Sequence, residues 1–177
     1  MGRPSAAALA AAALAASLGG CASMHGAMHA GASTTLSPTQ GNATAGTVRL
    51  EQHHHRLMVH AQISGLKPNA EHGFHVHEKG DCSSADGMSA GGHFNPGGKP
   101  HGHFGGSDRH AGDLPNLRAD ASGVAEMRVP VSGLTVGGGA TDVVGRSIVV
   151  HAGPDDYTSQ PAGNSGARIA CGVIARS

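Results

Sequence analysis

The sequence predicts an all-β fold, a sandwich or barrel of short strands, and three observations predict it. Glycine accounts for 29 of 177 residues, about twice average usage, and punctuates the chain with turns. Apolar residues recur with period two over short runs, and little of the chain carries the helical period. Aromatic residues make up 2% with no Trp, so a core must be filled mostly by Val, Ile, Leu and Ala. A chain of this length suits one domain with a real core, once any leader is set aside.

Along the chain, Thr47 to Gln52 alternates in part, and Leu57 to Ile63 places Leu57, Val59, Ala61 and Ile63 on one strand face. His53, His54 and His55 fall between these runs, at a hairpin turn. Three adjacent histidines cannot all face one ion from a regular strand, so they read as a solvated turn with some adventitious metal affinity. Gly73 to His77 is the next strand, and Val124 to Val129 follows a turn at Ser122-Gly123. Val143 to His151 contains the buried-strand run Ile148-Val149-Val150, and Arg168 to Ile174 is a short terminal strand. Two Gly-rich loops, roughly residues 78–120 and 152–167, are long enough to imply function. Strand order does not follow from these patterns.

Lys plus Arg equals Asp plus Glu, 12 against 12, which excludes the basic footprint of a nucleic-acid binder or a polybasic membrane surface. Residues 1–20 read as a secretory leader: Arg3 supplies a positive start, and Ala6 to Leu18 is an apolar run too short to span a bilayer. The stretch Leu18-Gly19-Gly20-Cys21 resembles the lipobox of bacterial lipoproteins. That resemblance implies a lipid on Cys21, with plain cleavage nearby as the alternative. If Cys21 carries lipid, Cys82 and Cys171 remain to pair in an oxidising compartment. Residues 21–43, rich in Ser, Thr, Gly and Ala, read as a flexible tether. Met24, His25, Met28 and His29 within it could loosely hold copper, although a solvated linker is the simpler reading. The folded domain is then expected over 44–177.

The chain's fourteen histidines define its chemistry. His75 and His77 are one residue apart on a strand, so both imidazoles share a face, roughly 6.6 Å apart at the backbone. His93, His101, His110 and Asp113 follow in the first long loop, and three imidazoles with a carboxylate suit zinc. His151, at the end of a strand, supplies a further ligand for the first pair.

The motifs His72-Gly73-Phe74-His75-Val76-His77-Glu78, Gly92-His93-Phe94-Asn95-Pro96 and Arg109-His110-Ala111-Gly112-Asp113-Leu114 resemble signatures of the copper/zinc superoxide dismutase family. Ile148-Val149-Val150-His151 and the run from Gly163 to Ile174 complete the set in the family's order. The similarity covers about Thr47 to Ala175. It implies an eight-stranded Greek-key sandwich, a flattened barrel with long metal-binding loops.

The resemblance further implies copper on His75, His77, His93 and His151, and zinc on His93, His101, His110 and Asp113. His93 would bridge the two ions, and His103 is a rival for His101. Asp155 would link the free ring nitrogens of His75 and His101. Arg168 would attract the anionic substrate beside the copper, and Cys82–Cys171 would be the family disulfide. The implied reaction converts superoxide to oxygen and hydrogen peroxide by alternating reduction and oxidation of copper. Residues 157–167 hold no Lys or Glu, so the charged guidance loop of animal enzymes is missing, and Lys79, Lys99 and Arg109 are candidates to replace it. The short interval from His77 to Cys82 resembles the bacterial exported class, which implies the periplasmic side of the envelope, with membrane contact only through the lipid. Members of that class differ in whether they dimerise, so monomer and homodimer both stay open. The competing readings are an inactive copper-binding or copper-delivery module of the same fold, and a purely structural sandwich with surface histidines.

Overall fold

The computed structural model describes residues 1–2 and 30–177. Apart from Met1 and Gly2, the leader lies outside the described residues, as do Cys21 and the Met24, His25, Met28 and His29 group. The strands are β1 (Gly31–Pro38), β2 (Ala45–His53), β3 (Arg56–Ser64), β4 (Glu71–His72), β5 (Phe74–His77), β6 (Leu117–Arg118), β7 (Ala125–Val131), β8 (Ser147–His151), β9 (Arg168–Val173) and β10 (Ala175–Arg176). A three-residue 3-10 turn, Met88–Ala90, is the one helical element among the described residues.

Eight strands form one antiparallel sheet in the order β5-β8-β9-β1-β2-β3-β7, with β10 also on β1, while β4 and β6 pair separately. Val59 and Ile63 from β3 share a buried cluster with Phe74 and Val76 from the opposite edge strand, so the sheet curls around one core. The chain crosses from β3 to the far edge at β5, then from β7 back to β8, crossovers of the Greek-key kind. The β2–β3 hairpin closes where expected, with His53 opposite Arg56 and His54 in a left-handed turn conformation at φ 49°.

Two expectations need correction. The tether does not extend to residue 43. Gly31 to Pro38 is a central strand, paired with β2 on one side and with β9 and β10 on the other. Its inward positions are Ala32, Thr34 and Leu36, two of them small or polar, so the alternation is invisible to a hydropathy reading; pairing on both sides decides the conformation. The strand expected from Val143 starts only at Ser147. Gly145 takes φ 77° and the Arg146 amide donates back to the Val143 carbonyl at 3.1 Å, which makes residues 143–146 a turn.

β5 positions the site. Both its faces are buried: Phe74 and Val76 enter the core, and His75 and His77 point the other way. Its free edge is taken by the first long loop. The Phe94 amide donates to Val76 O at 2.8 Å, and the Val76 amide donates to Gly112 O at 3.0 Å. These bonds set His93 opposite His77 and Asp113 opposite His75.

If β1 is part of the core, Leu36→Ala should cost about 2–5 kcal/mol in urea unfolding, whereas Ser37→Ala should cost little. A Leu36→Ala variant as stable as the parent would return this segment to the tether.

Candidate metal centre

The buried histidines collect into two clusters that share one ring. His75, His77, His93 and His151 form the first, and His93, His101, His110 and Asp113 form the second; within each, the ligand atoms lie within 4.8 Å of one another. All seven residues are buried. The residues expected from sequence are thus brought together, and His101 rather than His103 joins the second cluster. His103 instead packs on Phe104 and Tyr157, with ring centroids 4.5 and 4.7 Å away.

In the first cluster four ring nitrogens converge: Nδ1 of His75 and Nε2 of His77, His93 and His151. Each is buried without a hydrogen-bond partner, a costly state for a polar atom unless something binds it. The opposite nitrogens are held by the protein. His75 Nε2 pairs with Asp155 Oδ2 at 2.8 Å, His77 Nδ1 with Gly91 O at 3.0 Å, and His151 Nδ1 with Gly166 O at 3.2 Å. A carbonyl can only accept, so the His77 and His151 Nδ1 atoms carry the proton and leave Nε2 a free lone pair. This is the donor set a cation requires.

In the second cluster Asp113 Oδ1 lies 2.9 Å from His93 Nδ1, 3.0 Å from His101 Nδ1 and 3.3 Å from His110 Nδ1. Ligands about 2.0–2.1 Å from a tetrahedral zinc stand roughly 3.3 Å apart, so the spacing fits that ion. Asp113 Oδ2 is turned away and accepts the backbone amides of Gly102 and His110 at 3.1 and 2.9 Å. Burial alone would raise the Asp113 carboxyl, but hydrogen bonds from His110 and His93 outweigh it and hold the group well below the usual range.

Asp155 joins the clusters, accepting from His101 Nε2 at 2.9 Å through the oxygen that His75 does not use. Its position depends on residues with no spacing signal in the sequence. The Asn116 side-chain amide bonds both the amide and the carbonyl of Asp155, each at 2.9 Å. Gln160 clamps the backbone of His101 in the same way, at 2.9 and 2.8 Å. Gly163, at φ 69°, lies so close that an added Cβ would collide with Asp155 Oδ1. His72 Nδ1 bonds the His151 carbonyl at 2.9 Å, bracing the end of β8.

A pocket of about 740 Å³ opens beside the first cluster, lined in part by His151, Arg168, Asp86 and Asn164. The Arg168 guanidinium donates to the carbonyls of Gly87 and Gly91 at 2.8 and 2.7 Å, which orients it without neutralising it. Cys82 and Cys171 form a disulfide with α-carbons 5.7 Å apart, tying the loop that carries those carbonyls to β9. Arg109 is not a guidance charge. It is buried and donates to the carbonyls of His110, Ala111, Asp113 and Ser132, so it braces the second cluster.

Burial lowers the His93 imidazole to about 4, against the hydrogen bond to Asp113, and lowers His151 to about 3, helped by the neighbouring His75. An exposed histidine titrates near 6.5. Between about pH 4 and 6.5 the unfolded metal-free chain therefore binds protons that the folded chain refuses, and stability falls as pH falls. The melting temperature of metal-free protein should drop as the buffer goes from pH 6.5 toward 4. A flat profile across that window would contradict this account of the site.

Comparison with known proteins bears on the same residues. Residues 44–174 match the family described as copper/zinc superoxide dismutase (SODC). The "Superoxide dismutase [Cu-Zn] 2" of Aquifex aeolicus is 43% identical over 133 residues, covering 73% of this chain and 78% of that protein. The "Superoxide dismutase [Cu-Zn]" of Candida glabrata is 47% identical over 138 residues, covering 73% and 88%. A crystal structure of a double mutant of a SOD-like protein from Bacillus subtilis superposes with a TM-score of 0.72 at 38% identity, covering 79% of this chain and 94% of that one. With the match spanning most of the chain and every expected ligand converging, the chain belongs to the copper/zinc superoxide dismutase family.

Proposed function

We propose that the protein is a copper- and zinc-dependent superoxide dismutase, turning two superoxide anions and two protons into one dioxygen and one hydrogen peroxide. The observation that carries this reading is the set of four buried, partnerless imidazole nitrogens beside a carboxylate-imidazole cluster that shares His93. Copper belongs on His75, His77, His93 and His151, and zinc on His93, His101, His110 and Asp113. Copper supplies the one-electron couple, while zinc has no redox chemistry of its own.

The chain's residues do the rest. Arg168 places a positive charge in the pocket and draws in the small anion, a role in which field counts for more than shape. His93 is the ring between the clusters, and its Nε2 faces the copper side with no other protein partner. That nitrogen is the atom at which a proton can be held and handed to the departing peroxide. Asp155 keeps His75 and His101 turned toward their ions by bonding the opposite nitrogen of each ring. A copper carrier needs neither a shared ring nor an arginine held in the pocket, and both features favour the enzyme.

We also infer that the protein works outside the cytoplasm, where the Cys82–Cys171 disulfide persists, and that Cys21 carries a membrane-anchoring lipid, with 1–20 as its leader. Residues 21–30 then link the anchor to β1. Mass spectrometry of the mature N-terminus should find a diacylglyceryl-modified Cys21. An unmodified terminus elsewhere would remove the anchor and leave the enzyme reading intact.

The activity is tested with protein reconstituted with one copper and one zinc. It should suppress superoxide-driven reduction of cytochrome c, and Arg168→Ala should lower kcat/KM roughly tenfold or more with copper content unchanged. Fully metallated protein that leaves superoxide untouched would make the chain a carrier.

A further inference from the structure

The loop that orients Arg168 also brings a charge of the opposite sign to the same pocket. Among the residues lining that pocket, Arg168 and Asp86 alone carry a formal charge, with His151 neutral as a metal ligand. Lys79, Lys99 and Arg109, the candidates to replace a guidance loop, line no part of it. The segment from Ser159 to Ala167, which forms another wall, holds no acidic or basic side chain. The local field that an incoming anion meets is therefore a balance of two charges.

Each charge is held by the backbone. The Arg168 guanidinium has the carbonyls of Gly87 and Gly91, and Asp86 Oδ1 accepts the Met88 amide at 3.0 Å, closing a local turn of the Asx kind. Gly87 joins the two: it follows Asp86 in the chain, takes φ 73° and supplies a carbonyl to Arg168. The carboxylate thus stays near the guanidinium by construction. The Met88 amide holds the Asp86 carboxyl below its ordinary range, so it is ionised at neutral pH. Burial lowers the Arg168 guanidinium, and the Asp86 charge opposes that effect. Asp86 is exposed whereas Arg168 is partly buried, so an anion arriving from solvent passes the carboxylate.

We propose that Asp86 is a second determinant of anion capture at this pocket, acting against Arg168 and slowing the entry of small anions to the copper position. The proposal rests on the copper assignment made above. A charge on the rim of a site governs the rate of capture and its salt dependence. Asp86→Asn removes that charge and keeps the Oδ1 acceptor for the Met88 amide, so the turn and the Gly87 carbonyl stay in place. Asp86→Ser removes the charge as well and offers a hydroxyl to the same turn.

The probe is azide, a small monovalent anion, titrated into full-length protein carrying one copper and one zinc and followed by the absorption of the copper-bound form. At an ionic strength of about 10 mM, both variants should bind azide roughly threefold more tightly than the parent, and the gap should close near about 1 M salt, where charges are screened within a few ångströms. Equal affinities at low salt overturn the proposal, as does a gap that salt leaves unchanged, which would assign Asp86 a structural role only. A second arm measures superoxide dismutation, where kcat/KM should rise by a similar factor in both variants, with copper content unchanged. The azide shift without activity in any of the proteins would sink the enzyme reading and uphold this one. An active parent whose azide affinity ignores Asp86 would do the reverse.

Discussion

An imidazole has two nitrogens, and the paired centre depends on fixing one of them so that the other is forced to face an ion. His75, His77 and His151 each give one nitrogen to Asp155 or a backbone carbonyl, and each turns the other into a buried space where no protein group meets it. Left so, these atoms carry the cost of desolvation without compensation. Metal binding relieves it, which links the ion to the stability of the domain. The carboxylates take part in the same arrangement. Asp155 orients rings from both clusters through its two oxygens. Asp113 fixes its loop with one oxygen and faces three imidazoles with the other.

The fold serves this by supplying one rigid strand and letting loops close on it. β5 lies at a sheet edge, and the edge's free hydrogen bonds are taken by the loops carrying His93 and Asp113. An exposed edge would invite pairing with another chain; here it becomes the frame of the metal centre. On the other side, Val149 packs with Ala90 and the disulfide, so the loop that orients Arg168 is fixed to the sheet by a covalent bond and by burial. Long Gly-rich loops can be this ordered because amide side chains and Arg109 hold their backbones at separate points.

Much of this was legible in the sequence. The ligands could be read because metal chemistry restricts residue type and strand period restricts direction: His75 and His77 had to share a face. The hairpin strands were equally plain, since Leu57, Val59, Ala61 and Ile63 alternate along a half-buried surface. β1 was not legible. Its inward side chains are too small to register, and it is a strand because neighbours on both sides bond its backbone. Asn116 and Gln160 escaped for a related reason, as an amide clamping a distant backbone leaves no pattern along the chain. The hairpin histidines were legible as a turn, which His54 makes in the left-handed conformation at φ 49°.

The central claim is that two different ions share the His93 ring. It is tested most directly by anomalous diffraction from crystals of the metallated protein, recorded on either side of the copper and zinc absorption edges. The expected result is copper among His75, His77, His93 and His151, and zinc among His93, His101, His110 and Asp113. A single ion, or two ions with His93 bound to only one of them, would contradict the account.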